Sequence, residues 1–291
     1  MNGGNMSNYV IMSDTGCDID FEILRDWGIG FRGLSFHFEG DREYQEGEMS
    51  KSDFYARMRA GEVSKTSAVN SESFKELFEE ALREGNDILY LGFSSGISAT
   101  SNSAMMAANE LREAYPDRKI ITIDTLAASA GQGLILYYAV EKKKEGAGLE
   151  ENADYIRSLI PQLAHWFTVE DLVYLKRGGR VSAAAAFAGG VLGIKPVLHV
   201  DDEGHLINMV KVRGRDQSLR TIAKKYIETA KDKKGIYYIS HGDCLDDAKK
   251  LESMIVAEGG SECALITQIG MIIGSHAGPG TIALFFLASG R

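Results

Sequence analysis

The chain has 291 residues, 44% hydrophobic and 25% charged, which is typical of a globular protein with one large or two medium domains. Its formal net charge of −9 argues against non-specific binding to nucleic acid, which needs a basic surface. We find no signal-peptide pattern, no apolar run long enough to span a bilayer, and no paired or metal-ligand spacing among the three cysteines. We therefore expect a cytoplasmic protein without a membrane span.

The first half of the chain alternates short apolar runs with amphipathic stretches. This alternation predicts a parallel sheet flanked by helices, with a polar loop over Val63–Asn70. The predicted strands are Tyr9–Ser13, Gly33–Phe38, Ile88–Phe93 and Lys119–Asp124. The predicted helices are Phe21–Trp27, Asp53–Ala60, Glu72–Glu84, Ile97–Tyr115 and Ala127–Lys144.

Polar side chains follow three of these predicted strands. They are Asp14-Thr15, Ser94-Ser95 and Asp124-Thr125. Because ligands of open parallel sheets bind outside the carboxyl ends of the strands, we expect these three strand ends to share a cleft.

The second half of the chain has a different pattern, which predicts an α/β domain with a partly antiparallel sheet. A hairpin is expected around Asp201–Gly204, and the segment GSHAGPGT near the end is expected to be a loop. The predicted strands are Lys195–Val200, Ile207–Arg213, Gly235–His241, Cys263–Gly270 and Ile282–Leu287. The predicted helices are Leu149–Leu163, Glu170–Lys176, Ser182–Leu192, Arg215–Lys231 and Leu245–Glu258.

These patterns together predict an α/β fold of two domains. The N-terminal domain, residues 1–162, is expected to hold a Rossmann-like parallel sheet. The C-terminal domain, residues 163–291, is expected to hold a mixed sheet. The low-bulk helix Ser182–Leu192 indicates either tight helix packing or an apolar slot for a ligand.

The turn from Gly92 to Gly96 supports two functional hypotheses besides simple helix capping by serine. Hydroxyls beside a helix N-terminus suit an anion, because free backbone N–H groups and the helix dipole favour negative charge there. The same turn satisfies G-x-S-x-G, the nucleophile elbow of serine hydrolases, with Ser94 as nucleophile and Asp124 and His276 following in hydrolase order. No HGGG-type oxyanion loop precedes it, which weakens the hydrolase interpretation.

Three further groups are candidates for binding an anion. Arg177-Gly-Gly-Arg180 is either a solvated loop or a carboxylate clamp, because guanidinium offers a planar fork of donors. Arg213, at the end of a predicted strand, could serve in the same way. His276 lies in the glycine-rich segment, where the backbone can approach a ligand closely.

Several short motifs follow one another along nearly the whole chain. In chain order they are Ser13-Asp14-Thr15-Gly16-Cys17-Asp18, Lys65-Thr66-Ser67, Ser94-Ser95-Gly96-Ile97-Ser98, Asp124-Thr125 with Gly131-Gln132-Gly133, Tyr174–Ser182, Lys195-Pro196, Lys211-Val212-Arg213-Gly214 and His276–Gly280. Each motif is weak alone, but in this order they resemble the motifs of the DegV family.

The resemblance implies a two-domain protein that binds one long-chain fatty acid, with the carboxylate between the domains and the acyl chain in the second domain. It implies that Thr66 and Ser95 hold the carboxylate and that Arg180, Arg213 and His276 lie nearby. It also implies a non-catalytic partner of a fatty acid kinase, which phosphorylates the bound carboxylate to an acyl phosphate.

The resemblance implies no cofactor, no metal and no catalytic residue in this chain. It allows transient contact with a membrane. One departure concerns the loop that the family usually reads T-S-Q-P-S. Here Ala68, Val69 and Asn70 replace the last three residues, so the loop lacks its proline.

Overall fold

A computed structural model of the chain describes residues 8–181 and 193–291. The predicted low-bulk helix Ser182–Leu192 lies outside the described residues. Within the described part, no helix combines the length and the apolar character needed to cross a membrane.

The described residues form strands and helices in alternation, with two short 3-10 turns at Thr15–Cys17 and Ile160–Gln162. The strands are β1 (Tyr9–Asp14), β2 (Ile29–Arg32), β3 (Ser35–Phe38), β4 (Tyr44–Gln45), β5 (Ser64–Ser67), β6 (Asp87–Gly92), β7 (Ile120–Asp124), β8 (Leu163–Thr168), β9 (Ile194–Val200), β10 (Leu206–Arg213), β11 (Tyr237–His241), β12 (Leu265–Gln268) and β13 (Ile282–Leu287). The helices are α1 (Phe21–Asp26), α2 (Lys51–Arg59), α3 (Ser71–Arg83), α4 (Thr100–Ala114), α5 (Ala130–Lys144), α6 (Leu149–Leu159), α7 (Val173–Arg177), α8 (Arg215–Thr229), α9 (Leu245–Ala257) and α10 (Met271–Ala277).

The N-terminal half holds a four-stranded parallel sheet in the order β2-β1-β6-β7. Its central strand β6 is buried at every residue, as expected for a parallel strand covered on both faces by helices. The carboxyl ends of β1, β6 and β7 lie side by side in this order. The shared cleft predicted at these three strand ends therefore has its structural basis.

A second, three-stranded antiparallel sheet in the order β4-β3-β5 adjoins the first one in sequence. Its strand β5 corrects the prediction of a polar loop over Val63–Asn70. In β5, Thr66 pairs with Phe36, and Ser67 pairs with Ser35. The sequence SKTS lacks the apolar alternation by which strands are recognised, so only pairing with β3 reveals the strand.

The C-terminal half holds a six-stranded mixed sheet in the order β10-β9-β8-β13-β11-β12. The β9–β10 hairpin and β13 lie where the sequence predicts them. The predicted helix Leu149–Leu163 was wrong at its end, because α6 stops at Leu159 and Pro161 lies in the 3-10 turn that follows. Strand β8 then begins at Leu163 and supplies a central, fully buried strand.

Two other corrections concern the segments around the predicted site. Helix α4 begins at Thr100, three residues after the predicted start at Ile97, so Ser95 is not at its N-terminus. The predicted loop around His276 contains helix α10, and His276 is in its last turn. The glycines on both sides of His276 are typical of a loop. The apolar residues Met271, Ile272 and Ile273 nevertheless pack into the core and begin a helix that includes His276.

The fold class predicted from the sequence is confirmed, with a parallel N-terminal sheet and a mixed C-terminal sheet. The two halves share their largest hydrophobic cluster, which includes Ile11 and Leu89 from the parallel sheet and Phe285 from the mixed sheet. Helix α5 connects them, because it is buried on nearly all sides and packs against strands of both sheets.

Candidate functional site

A central cavity of about 210 Å³ lies between the two halves of the chain. It is larger than the apolar cavities of about 150 Å³ that stay dry and admit benzene. Its walls are mainly apolar and come from both halves, as shown by Phe93, Ile97, Phe167, Ile272, Ala283 and Phe285. Such a cavity favours an apolar ligand.

Three of the predicted site residues meet at one part of the cavity wall: Thr66, Arg180 and His276. Thr66 reaches it from β5 and His276 from the last turn of α10. The Thr66 hydroxyl lies 2.8 Å from Nε2 of His276, and Nδ1 of His276 is buried without a hydrogen-bond partner among the described residues. The fold therefore brings together two polar groups that are 210 residues apart in the sequence.

Arg180 supplies the positive charge of this part of the cavity. Its Nε donates a hydrogen bond to the Ile97 carbonyl over 3.1 Å, and Nη1 donates to the Gly178 carbonyl. These bonds hold the half-buried guanidinium at the wall. Burial lowers the pKa of Arg180, but a guanidinium stays protonated at any ordinary pH.

The charge of Arg180 also acts on His276. Burial, and then the nearby guanidinium, lower the pKa of His276 to about 4. The imidazole is therefore neutral at neutral pH, and the cavity holds one fixed positive charge beside two neutral hydrogen-bonding groups. Gly178 permits this contact, because a Cβ at that position would overlap Nδ1 of His276.

Ser95 is not among the residues that line the cavity, and its role in binding a carboxylate stays a prediction. Its side chain is exposed, and its N–H donates to both carboxylate oxygens of Asp124 over 3.2 Å. An anion at this N–H would therefore compete with a carboxylate that is already bound there. Ser98, three residues later, lines the cavity instead, and its hydroxyl lies 2.9 Å from the hydroxyl of Thr100.

Arg213 is also not among the cavity-lining residues. It ends β10 opposite Ile194 of β9, and it is exposed. It lies on β10, an outermost strand of the mixed sheet. Of the five predicted ligand-binding residues, Thr66, Arg180 and His276 therefore line the cavity, whereas Ser95 and Arg213 are not among its lining residues, and their roles in binding stay predictions.

The hydrolase arrangement is not formed among the described residues. Ser94 is fully buried, and its hydroxyl donates to the Gly204 carbonyl over 3.0 Å. The ring of His276 bonds to Thr66, and the Asp124 carboxylate accepts N–H groups of Ser95 and Leu126. Ser94 therefore lacks a histidine base, and no Ser–His–Asp chain of hydrogen bonds connects the three residues.

Asp14 organises the strand ends beneath the cavity. Its buried carboxylate accepts hydrogen bonds from the Tyr90 hydroxyl over 2.6 Å, from the N–H groups of Gly16 and Phe93 over 3.0 Å each, and from the Gln132 amide over 3.3 Å. Burial raises the pKa of Asp14 and these bonds oppose the rise. The first and fourth motifs of the sequence therefore meet at a structural carboxylate, which fixes the turn after β6.

Two further buried carboxylates hold the N-terminal end of α10. Asp18 accepts the Gly270 N–H over 2.8 Å, and Glu46 accepts the Met271 N–H over 3.0 Å. Burial raises the pKa of Asp18 to about 6, and burial together with the charge of Asp18 raises the pKa of Glu46 to about 8. These contacts from the N-terminal half fix the helix that carries His276.

The loop after Thr66 differs from the motif T-S-Q-P-S at Ala68, Val69 and Asn70, and each of these residues has a defined place in the structure. Ala68 lines the cavity, Val69 is buried, and the side-chain oxygen of Asn70 accepts the Ser73 N–H as the N-cap of α3. The cap fixes the loop end without the usual proline. Thr66 itself is held by its pairing with Phe36 of β3.

An open groove of about 1060 Å³ adjoins the polar part of the cavity and shares Arg180 and Ile97 with it. Its far wall is β10, where Met209 and Val210 are exposed. Lys211 adds a second positive charge to the groove. A carboxylate beside Arg180 would therefore lie close to solvent and to any protein that occupied the groove.

The predicted ligand-binding residues do not include the cavity-lining polar residues Ser98, Ser129, His165 and Thr281. Ser98 belongs with Ser94 and Ser95 to the hydroxyls near the predicted helix start, where the sequence favours either a helix cap or an anion site. His165 lies on β8, in a segment joined to the end of the predicted helix Leu149–Leu163, and nothing in the sequence LAHWFT indicates a cavity.

Comparison with known proteins places the chain among relatives of one kind. The model of the DegV family, described as an uncharacterised protein family, matches residues 8–289. A DegV domain-containing protein of Clostridium perfringens is 41% identical over 97% of this chain and 98% of its own length. One from Streptococcus pyogenes is 34% identical over 96% of this chain and 98% of its own length.

Two solved structures have the same fold. A fatty-acid-binding DegV family protein from Thermus thermophilus has a TM-score of 0.87 and 30% identity, covering 97% of this chain and 99% of its own. A stearic-acid-binding protein from Eubacterium ventriosum has a TM-score of 0.85 and 27% identity, covering 96% and 98%.

Proposed function

The chain belongs to the DegV family, and from that membership and the central cavity we propose that it binds a long-chain fatty acid. The carboxylate lies against Thr66, Arg180 and His276, and the alkyl chain fills the apolar part of the cavity. The observation that carries this proposal is one positive charge and two hydrogen-bonding groups at one part of an otherwise apolar cavity.

The chemistry of a fatty acid explains why both features are needed. A buried carboxylate is costly unless donors replace its lost hydration. Arg180 offers a charge-assisted hydrogen bond, and Thr66 offers a hydroxyl at 2.8 Å from the neutral His276 ring. The alkyl chain gains roughly 0.8 kcal/mol for each CH₂ group that leaves water.

Native mass spectrometry of the purified chain with a panel of fatty acids tests this proposal. We expect a one-to-one complex with long-chain acids and calorimetric affinity that falls strongly for the alcohol of the same length. Absence of a complex with every chain length, or equal affinity for acid and alcohol, would contradict it.

We also propose that residues 1–162 and 163–291 are the two domains of the protein. All strands of the parallel sheet and of the small antiparallel sheet come before residue 163, and all strands of the mixed sheet come after 162. The shared hydrophobic cluster and α5 bind the domains together. Separately expressed halves are therefore expected to be insoluble or to fold only when mixed, and independent folding of each half would contradict the shared core.

The protein has the features of a non-catalytic carrier, and we propose that it presents the acid to a fatty acid kinase. The groove beside Arg180 gives a second protein access to the carboxylate, and Met209 is half exposed in its wall. In the transfer, a carboxylate oxygen forms a bond to the γ-phosphorus of a nucleoside triphosphate while the bond to the diphosphate breaks.

The three free cysteines fit a cytoplasmic location.

Trapping of the acyl phosphate with hydroxylamine, in the presence of ATP and a fatty acid kinase, tests the carrier role. Met209→Asp is expected to reduce transfer and to leave fatty acid affinity unchanged, because Met209 lines the groove and not the cavity. Unchanged transfer by this variant would remove the groove from the docking surface. No transfer by the wild-type chain with any tested kinase would contradict the carrier role and leave fatty acid binding intact.

A further inference from the structure

One polar side chain in the wall of the central cavity has no role in holding a carboxylate. His165 lies on β8 in the middle of the mixed sheet and is 1% exposed. Both of its ring nitrogens lack a hydrogen-bond partner among the described residues. A buried imidazole without partners is costly, because each unsatisfied polar atom loses its hydration without compensation.

The other polar side chains that line the cavity away from Thr66, Arg180 and His276 have hydrogen-bond partners. The Ser129 hydroxyl lies 2.9 Å from the hydroxyl of Ser240 and donates to Asp18. The Thr281 hydroxyl bonds to the Ala277 and Gly278 carbonyls at 2.9 Å each. Among the residues whose surroundings the structure describes, the His165 ring therefore differs from its polar neighbours in having both nitrogens unpartnered.

The packing around His165 fixes its ring and keeps it neutral. Its ring is perpendicular to that of Phe285 at a centroid distance of 5.4 Å, and Gly131 packs so closely that a Cβ there would overlap Nε2. Burial, and then the charges of Arg291 and His199, lower the pKa of His165 well below its usual value. The backbone of Leu163 opposes this shift but lies outside hydrogen-bonding geometry with either ring nitrogen. The ring cannot turn away from the cavity without displacing these neighbours.

We propose that His165 selects fatty acids that carry a hydroxyl group along the alkyl chain. This inference rests on the proposed function, since it concerns the chain of the acid whose carboxylate lies at Thr66, Arg180 and His276. A neutral imidazole has one donor and one acceptor nitrogen, and a hydroxyl can donate as well as accept. It can therefore bond to a ring nitrogen that it reaches from the cavity, whichever tautomer the ring adopts.

A plain alkyl chain leaves both ring nitrogens of His165 unsatisfied, whereas a hydroxyl on the chain forms a hydrogen bond with one of them and is itself satisfied by that contact. One positional isomer of hydroxystearic acid, the one whose hydroxyl reaches His165, is therefore expected to bind about tenfold more tightly than stearic acid. The isomers with the hydroxyl elsewhere are expected to bind more weakly than stearic acid, because they bury that hydroxyl without a partner.

Calorimetric titration of stearic acid, hydroxystearic isomers and the methyl-branched isomers tests the proposal. A methyl group has nearly the size of a hydroxyl but forms no hydrogen bond, so it separates shape from polarity. The variant His165→Phe keeps a planar ring and is expected to lose the preference for the favoured isomer while retaining affinity for stearic acid. The control His199→Asn, on the neighbouring strand, keeps a donor for the His165 carbonyl and is expected to retain the preference.

A second measurement does not depend on the folding of a variant. Isotope-edited NMR of the histidine ring nitrogens in the wild-type chain is expected to show a shift at His165 with the favoured isomer and no such shift with stearic acid. The assignment of the His165 signal comes from its absence in His165→Phe or, if that variant does not fold, in His165→Gln.

The outcomes separate this inference from the proposed function. Equal affinity for stearic acid and every hydroxylated isomer, with stearic acid still bound, overturns the inference and indicates a bound water as the partner of His165. Equal gains from hydroxyl and methyl groups overturn it as well, because shape then explains the preference. Failure to bind any fatty acid overturns the proposed function, and the inference falls with it.

Discussion

Two hydroxyl-bearing segments of the N-terminal half, β5 and the turn after β6, have opposite uses. In β5, Thr66 lines the central cavity and bonds to a histidine of the other half. In the turn, the Ser94 hydroxyl bonds to the Gly204 carbonyl and the Ser95 N–H bonds to Asp124. The Thr66 hydroxyl therefore faces the cavity beside His276, whereas the Ser94 hydroxyl and the Ser95 N–H are used in contacts with other parts of the chain.

The hairpin between β9 and β10 packs against the turn after β6, where its Gly204 carbonyl accepts the hydrogen bond of the Ser94 hydroxyl. Gly204 packs against it so closely that a Cβ at Gly96 would lie 2.7 Å from the Gly204 carbonyl oxygen. This contact joins the two halves of the chain at one edge of the cavity. The turn is therefore a structural joint, and β5 provides a hydroxyl that faces the cavity.

We expect the largest effect on fatty acid affinity from removing the positive charge of Arg180, which lines the cavity. Arg180→Met removes the guanidinium and keeps an apolar side chain of similar length, so a bound carboxylate loses its charged donor. We expect fatty acid affinity to fall by about a hundredfold or more, measured by calorimetry. The matched control is Arg177→Met, three residues earlier at the end of α7, where the arginine is exposed and does not line the cavity. Equal losses in both variants would show that this segment, rather than Arg180, is responsible.

Acidification is expected to lower the free energy of unfolding through His276, which lines the cavity. The folded pKa of His276 is about 4, below the unfolded value of about 6.5, so only the unfolded chain gains this proton between these values. This contribution to stability is complete above about pH 6.5 and falls, by about 2–3 kcal/mol, as the pH drops toward 4.

Denaturant unfolding between neutral pH and pH 4 measures this contribution. Burial also lowers the pKa values of His165, His199 and His241, so the wild-type curve contains all four. His276→Gln removes one of them and keeps a hydrogen-bonding group for Thr66. The difference between the two curves is expected to grow toward acid, and parallel curves would contradict the buried, neutral state of His276.

A paired substitution compares the two segments directly. Thr66→Val removes the hydroxyl with little change in shape and is expected to reduce fatty acid affinity by about tenfold to a hundredfold. Ser95→Ala removes an exposed hydroxyl and is expected to change affinity by less than about twofold, because the Ser95 contact to Asp124 uses the backbone N–H. Calorimetry with one acid and both variants measures the contrast, and the reverse ranking would return the carboxylate to the turn.

The smallest effect is expected from the structural joint. Ser94→Ala leaves the buried Gly204 carbonyl without the hydroxyl that it accepts over 3.0 Å, which costs about 1–2 kcal/mol of the free energy of unfolding. Fatty acid affinity is expected to stay unchanged, because Ser94 does not line the cavity. Denaturant unfolding and calorimetry on the same preparation measure the two quantities, and an affinity loss without a stability loss would contradict this division of roles.

The sequence predicted the fold class well because the apolar runs and helix caps that define it are local. The buried strand β6 and the cap Asn70 of α3 are visible as an apolar run and as a polar residue before a helix pattern. Strands β5 and β8 were missed for non-local reasons. SKTS becomes a strand only by pairing with β3. LAHWFT was assigned to no element, because the predicted helix ran on to Leu163, past its actual end at Leu159 and past Pro161.

The site was predicted in part for the same reason. Arg180 and His276 could be named as candidates from their residue types and glycine neighbours, and Thr66 came from the family resemblance. That Ser95 is bound to Asp124, and that Arg213 ends an outer strand away from the cavity, depends on contacts between distant segments. His165 could not be named at all, because its importance lies in hydrogen bonds that it does not make.

A crystal structure of the complex with a fatty acid brominated at its methyl end tests the central claim most directly. The anomalous signal of bromine locates the methyl end, and the density at the other end locates the carboxylate. We expect the carboxylate within hydrogen-bonding distance of the Thr66 hydroxyl and the Arg180 guanidinium, with the bromine in the apolar part of the cavity. A carboxylate at the turn of Ser94 and Ser95, or a bromine beside Arg180, would contradict the account.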